Sequence, residues 1–133
     1  MIDRIKHNGT EYKITEEDSG WITPELTEKF TVGALASDVV IRYRKVGNVV
    51  EINGVTSPTQ DLNTNNEHTI FTLPEGFRPD QIRYFHCQGA IMNVCLIIVR
   101  PNGTVTLSRY GINNKDTMTP SGIAFIQATF LAN

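Results

Sequence analysis

Few of the features that most readily betray a function are present in this 133-residue chain. It has only two cysteines, Cys87 and Cys95. Two cannot build a disulfide framework, and they are expected to be buried, inert thiols on opposite faces of a sheet. No apolar run approaches the roughly 18–20 residues that cross a bilayer, so no membrane insertion is expected. Charge of one sign is lacking too. Twelve basic and 14 acidic side chains leave a net −2, which gives no electrostatic case for nucleic acid or an anionic membrane. The opening MIDRIKHNGTEYKI has no signal-peptide apolar region. A soluble protein made in a reducing compartment is the expectation. Long amphipathic helical patterns are missing as well. The best helix candidate, TPELTEKF at 23–30, could be capped by Thr23 with Pro24 in the first turn, but reads equally as an extended or turn segment.

Patterns for chemistry are similarly sparse. His7, His68 and His86 have no metal-ligand spacing. No carboxylate pair, phosphate loop or nucleophile elbow is evident. His86 and Cys87 are neighbours, but consecutive strand residues point to opposite faces, so they form no activated dyad. Asp61, Asn63 and Asn65 are spaced like the start of a calcium loop. Asn66 stands where that loop needs Gly, and Thr72 where it needs Glu, so 61–72 reads as a solvated loop. These absences argue against an enzyme and against a cofactor.

What is abundant is Val, Ile, Thr, Phe and Tyr, punctuated by Gly, Asn and Pro every eight to twelve residues or so. That rhythm predicts an all-β antiparallel sandwich or barrel. Residues 1–19 read as an N-terminal β-hairpin, turning at Asn8-Gly9, with a linker; residues 20–133 read as the main domain. In VVIRYRKVGNVVEINGV, 39–55, a turn at Gly47-Asn48 sets Arg44 opposite Glu51 and Tyr43 opposite Ile52. Ile41, Tyr43, Val50 and Ile52 then share one face, and Arg42, Arg44, Glu51 and Asn53 the other, read as a solvated face. Gly54 becomes a bulge or bend. IRYFHC and AIMNVCLIIV form a hairpin turning at Gly89-Ala90, followed by another through Asn102-Gly103, and IAFIQATFLA closes the sheet. CLIIV, 95–99, has no polar alternation and should be covered on both faces. Trp21 is expected to pack beneath the first strands.

One loop mixes residues suited to a carbohydrate: Arg109, Tyr110, Asn113, Asn114, Lys115 and Asp116. Planar amides and charges can bond sugar hydroxyls, and an aromatic can cover a sugar face. The same mixture also suits any exposed loop.

The order GWITPEL, RKVGNVVEINGVTS, IFTLPEGFRP, VRPNGTVTLSRYG and a TFLAN ending resembles the C-terminal head domains of tail and baseplate receptor-binding proteins from phages and prophages of Gram-positive bacteria. The resemblance spans roughly residues 20–133, with RKVGNVVEI and LPEGFRP its most specific pieces. It implies a compact β-sandwich or barrel, homotrimeric, that binds host cell-wall polysaccharide or teichoic acid without catalysis. Such a module would sit at the virion's tail tip among other tail and baseplate proteins, after synthesis in the bacterial cytoplasm. The ending GIAFIQATFLAN lacks the Trp or Tyr expected soon after its Gly, which withholds any aromatic platform there. A purely structural tail component is the alternative, and a polysaccharide-degrading enzyme a third reading.

Overall fold

The computed structural model describes residues 4–7, 10–13, 17–33, 39–111 and 117–132. Among these there is no helix, and hence none long and apolar enough to cross a membrane. Strands β1 (Arg4–His7) and β2 (Thr10–Lys13) form a separate two-stranded antiparallel sheet, Arg4 opposite Lys13 and His7 opposite Thr10. The next strands are β3 (Phe30–Val32), β4 (Arg42–Val46) and the ten-residue β5 (Val49–Pro58). They are followed by β6 (Leu62–Asn63), β7 (His68–Thr72), β8 (Arg83–Gly89) and β9 (Val94–Val99). Strands β10 (Thr104–Gly111), β11 (Thr117–Met118) and β12 (Ala124–Leu131) complete the set.

One eight-stranded antiparallel sheet runs β3-β5-β12-β8-β9-β10-β7, with β4 also on β5. Both β3 and β4 use the same edge of β5, on either side of Gly54. The sheet curls into a nearly closed barrel, and residues 22–27 bridge its remaining gap. Ile22 exchanges backbone bonds of 2.8 and 2.9 Å with Tyr43 on β4, while the Thr27 N–H donates to Ile70 O on β7 at 2.9 Å. The Thr27 hydroxyl adds a 2.6 Å bond to Thr69 O. With its backbone engaged by two strands, TPELT is extended rather than helical, and only Glu28-Lys29 turn.

Alternation explains the inside. On β12, Ala124, Ile126, Ala128 and Phe130 are buried, while Phe125, Gln127, Thr129 and Leu131 face out. Tyr43 stacks on Phe71 at 5.9 Å between ring centroids and meets Phe77 edge-on at 5.3 Å. These rings join Ile41, Val50, Ile52, Ile97 and Leu107 in one core. Each such side chain contributes about 1.5–3 kcal/mol by leaving water.

The 39–55 hairpin has the expected register: Val46 opposite Val49, Arg44 opposite Glu51, Tyr43 opposite Ile52. Gly47 takes φ 59 at the first turn position, as a type II′ turn requires. At Gly54, φ 128, the pairing changes: Val40 bridges Val55 in parallel and Val55 N donates to Val39 O at 3.0 Å. The incoming chain therefore crosses close over β5 where a side chain would stand.

Three expectations are corrected. In the β8–β9 hairpin the loop is Ala90–Asn93, closed by Gly89 N to Asn93 O at 2.7 Å, and Cys87 lies directly opposite Cys95. The two cysteines thus share the inner face instead of opposing faces. Both are free thiols, and burial raises the pKa of each, Cys95 to about 12. Next, 61–66 is no simple solvated loop: β6 pairs with β11, and Leu62 and Thr64 are buried. Finally, the turn between β9 and β10 centres on Pro101-Asn102, with Gly103 at φ 92 as the bulge residue after it. CLIIV is covered as expected, with only Leu96 partly exposed.

Candidate functional site

Three features fix one end of the barrel. Strand β10 bulges between Ser108 and Gly111, and Arg109 takes φ 52. Thr64, fully buried, clamps that bulge: its carbonyl accepts from Arg109 N at 2.6 Å and its hydroxyl from Tyr110 N at 3.2 Å. Tyr110 is turned inward as a result, 6% exposed, and its hydroxyl oxygen accepts from Ala90 N (3.3 Å) and Ile123 N (3.4 Å). Its ring lies against Gly89, where a β-carbon would come within 2.7 Å of it.

The 90–93 loop is braced beside it. The Gln88 side-chain amide donates to Gly89 O, Ile91 O and Asn93 O at 2.9–3.0 Å, and Asn93 Nδ2 donates to Ala90 O at 2.9 Å. That bracing holds Ile91 at φ 57, a conformation costly for a β-branched residue. It also presents Ile91 and Met92 to solvent, 92% and 73% exposed.

Between loop and bulge lies a hollow of about 280 Å³, bordered by Ile91, Asn93, Tyr110, Thr117, Thr119 and Ser121 among others. None of its described lining residues is charged. Thr119 and Ser121 share a 2.9 Å hydroxyl–hydroxyl bond, so each retains capacity to bond a visiting group. Of the loop residues singled out in the sequence, Tyr110 borders this hollow and Arg109 is exposed beside it. Asn113, Asn114, Lys115 and Asp116 lie outside the described residues. Asn93, Thr119 and Ser121 escaped notice in the sequence; a four-residue 90–93 loop would have pointed to Asn93.

A second polar region lies on the outer face of β4, β5 and β12. Trp21 is here, 37% exposed, rather than beneath the strands. The Arg42 guanidinium carbon sits 4.0 Å from its ring centroid and that of Arg44 5.6 Å away. The opposed residues Arg44 and Glu51 have other partners. Arg44 grips Asp18 through two guanidinium nitrogens. Arg44 and the Gly20 N–H hold the Asp18 carboxyl below the usual range, and Asp18 in turn raises Arg44. Glu51 Oε2 instead accepts from Asn53 Nδ2 at 2.8 Å and Gln127 Nε2 at 3.3 Å.

His86 is exposed while Cys87 faces the core, as alternation requires. Among the described residues no group of His, Cys, Asp and Glu is placed to hold a metal ion. His68 is built into the fold: Nε2–H donates to Asn63 O at 2.7 Å, leaving Nδ1 to accept from Lys29 Nζ at 3.3 Å.

Strand order and site together define an antiparallel β-barrel-like domain with a hollow whose described lining carries no charge. No protein-family model matches the chain, and no curated protein matches it.

Proposed function

We propose that this chain is a non-catalytic host-recognition module of a phage or prophage tail or baseplate, binding cell-wall saccharide at the hollow beside Tyr110. The observation that carries this reading is the character of that hollow. It joins hydroxyls and an amide to an apolar lip at Ile91, and its described lining carries no charge. Neutral sugars call for that combination: polar groups for their hydroxyls and apolar surface for their C–H faces. The motifs LPEGFRP and RKVGNVVEI add the phage-head resemblance. Acting as a homotrimer, such a module would gain avidity from weak sites displayed together.

A purely structural role in tail assembly is the second reading, favoured by the solvent-exposed apolar residues Tyr84, Ile91, Met92 and Leu131. Sedimentation with purified walls from strains differing in wall polysaccharide separates the two. Strain-dependent binding that Ser121→Phe abolishes supports recognition, because Ser121 is exposed and a ring there fills the hollow. Binding to no wall favours assembly. A solution mass equal to one chain at high concentration would remove the trimer.

A further inference from the structure

The outer face of the barrel carries a second hollow, of about 330 Å³, where the crossing segment at Val39 meets β5 and β12. Val39, Val55 and Phe125 supply apolar walls, and Arg42, Asn53 and Gln127 supply polar groups. Arg42 differs from three other arginines: Arg44, Arg83 and Arg100 are each paired, with Asp18, Asp80 and Glu67. Arg42 has no carboxylate partner among the described residues. Its Nε donates to Asn53 Oδ1 at 3.3 Å and Trp21 covers one face of its guanidinium, which orients the group while its terminal nitrogens meet no acceptor among the described residues.

The neighbouring amides are oriented as well. Glu51 Oε2 takes the N–H groups of both Asn53 and Gln127. Asn53 Oδ1 is thereby directed to Arg42, and Gln127 Oε1 is left as an acceptor. The hollow therefore offers a planar cation, an amide acceptor and an aromatic side chain. A polyanion gains little here, since Glu51 is close and the chain is net −2. A single oxyanion on a hydroxylated body uses the exposed groups: the oxyanion on Arg42, a hydroxyl on Gln127, and C–H faces on Phe125 and Val39.

We propose that this hollow, formed by Arg42, Asn53, Gln127 and Phe125, is a binding site for an acidic sugar unit, its carboxylate or phosphate held by Arg42. It is separate from the hollow beside Tyr110, and its failure would leave the reading of that site untouched.

Calorimetric titration of the full chain with glucuronate, a glucose phosphate ester and methyl glucoside tests it. One or both acidic sugars should bind at least about 10-fold more tightly than the neutral glucoside, and Arg42→Met should erase that preference. Glucuronate alone binding assigns a carboxylate, and the phosphate ester alone a phosphate. Arg44→Met, whose guanidinium is engaged by Asp18, should leave the preference within about 2-fold. Should Arg42→Met fail to fold, Gln127→Leu, at an exposed position, should still weaken acidic-sugar binding. Equal affinity for acidic and neutral sugars, no binding of either acid, or undiminished binding by folded Arg42→Met would overturn the assignment.

Discussion

Gly54→Ala tests the crossing that shapes both β5 and the acidic-sugar hollow. A β-carbon at Gly54 would stand 2.6 Å from Ile41 N and 2.7 Å from Val40 O, and closer still to Ile41 Cα. All three are backbone atoms, so no rotamer change relieves the clash. The φ of 128 adds a conformational cost of about 1–3 kcal/mol for any residue with a side chain. Moving the 39–41 segment away breaks the 3.0 Å bond from Val55 N to Val39 O, a loss of about 1 kcal/mol. Together these come to about 2–4 kcal/mol, a large part of the roughly 5–15 kcal/mol that holds a domain folded. For a domain of this size the midpoint should fall by about 7–16 °C. Gly47→Ala is the control, since Gly47 also has positive φ, 59, but a β-carbon there meets nothing within 4 Å. It should cost only about 1–2 kcal/mol. Urea unfolding followed by circular dichroism measures both. If Gly54→Ala proves no more destabilising than Gly47→Ala, the close crossing of residues 39–41 over β5 is wrong.

Ser57 is buried and its hydroxyl finds no partner among the described residues, so Ser57→Ala should be neutral or stabilising by up to about 1 kcal/mol in the same assay. A clear loss would reveal a bond to that hydroxyl. Both native thiols should resist an aromatic disulfide reagent at neutral pH and react after unfolding, because both are buried. With Cys95 raised to about 12, the folded state holds its proton after the unfolded state has lost it. Stability is therefore full below the ordinary thiol pKa and falls as pH rises toward 12, by at most about 1.4 kcal/mol per pH unit from this group. Cys95→Val should flatten that alkaline slope; an unchanged slope would assign it elsewhere. Ile91→Asn should raise stability by about 0.5–1 kcal/mol, since Ile91 holds φ 57 while 92% exposed, and a loss would mean its side chain is packed.

What the sequence by itself determined is what neighbours along the chain decide. Period-two alternation around Gly47-Asn48 set Arg44 against Glu51 and put Ile41, Tyr43, Val50 and Ile52 inside, because a slip of one residue would turn that whole apolar set to water. The unbroken apolar run at 95–99 announced a strand covered on both faces, because without polar alternation neither face is suited to water. Of the candidate site, the sequence marked Tyr110 but not its inward turn. That turn depends on Thr64, 46 positions earlier, whose hydroxyl holds the Tyr110 N–H. Tertiary structure also decided the β8–β9 register. Gly89-Ala90 is a plausible turn alone, but Cys87 and Cys95 are both buried by a four-residue loop. Trp21 went to the outer face because residues 22–27 are committed to closing the barrel between β4 and β7. Arg42 then stacks on it. Strand β12 beside β5 joins residues 68 to 82 positions apart, from Ala124 opposite Thr56 to Leu131 opposite Val49, a pairing settled by filling one shared core rather than by any local preference.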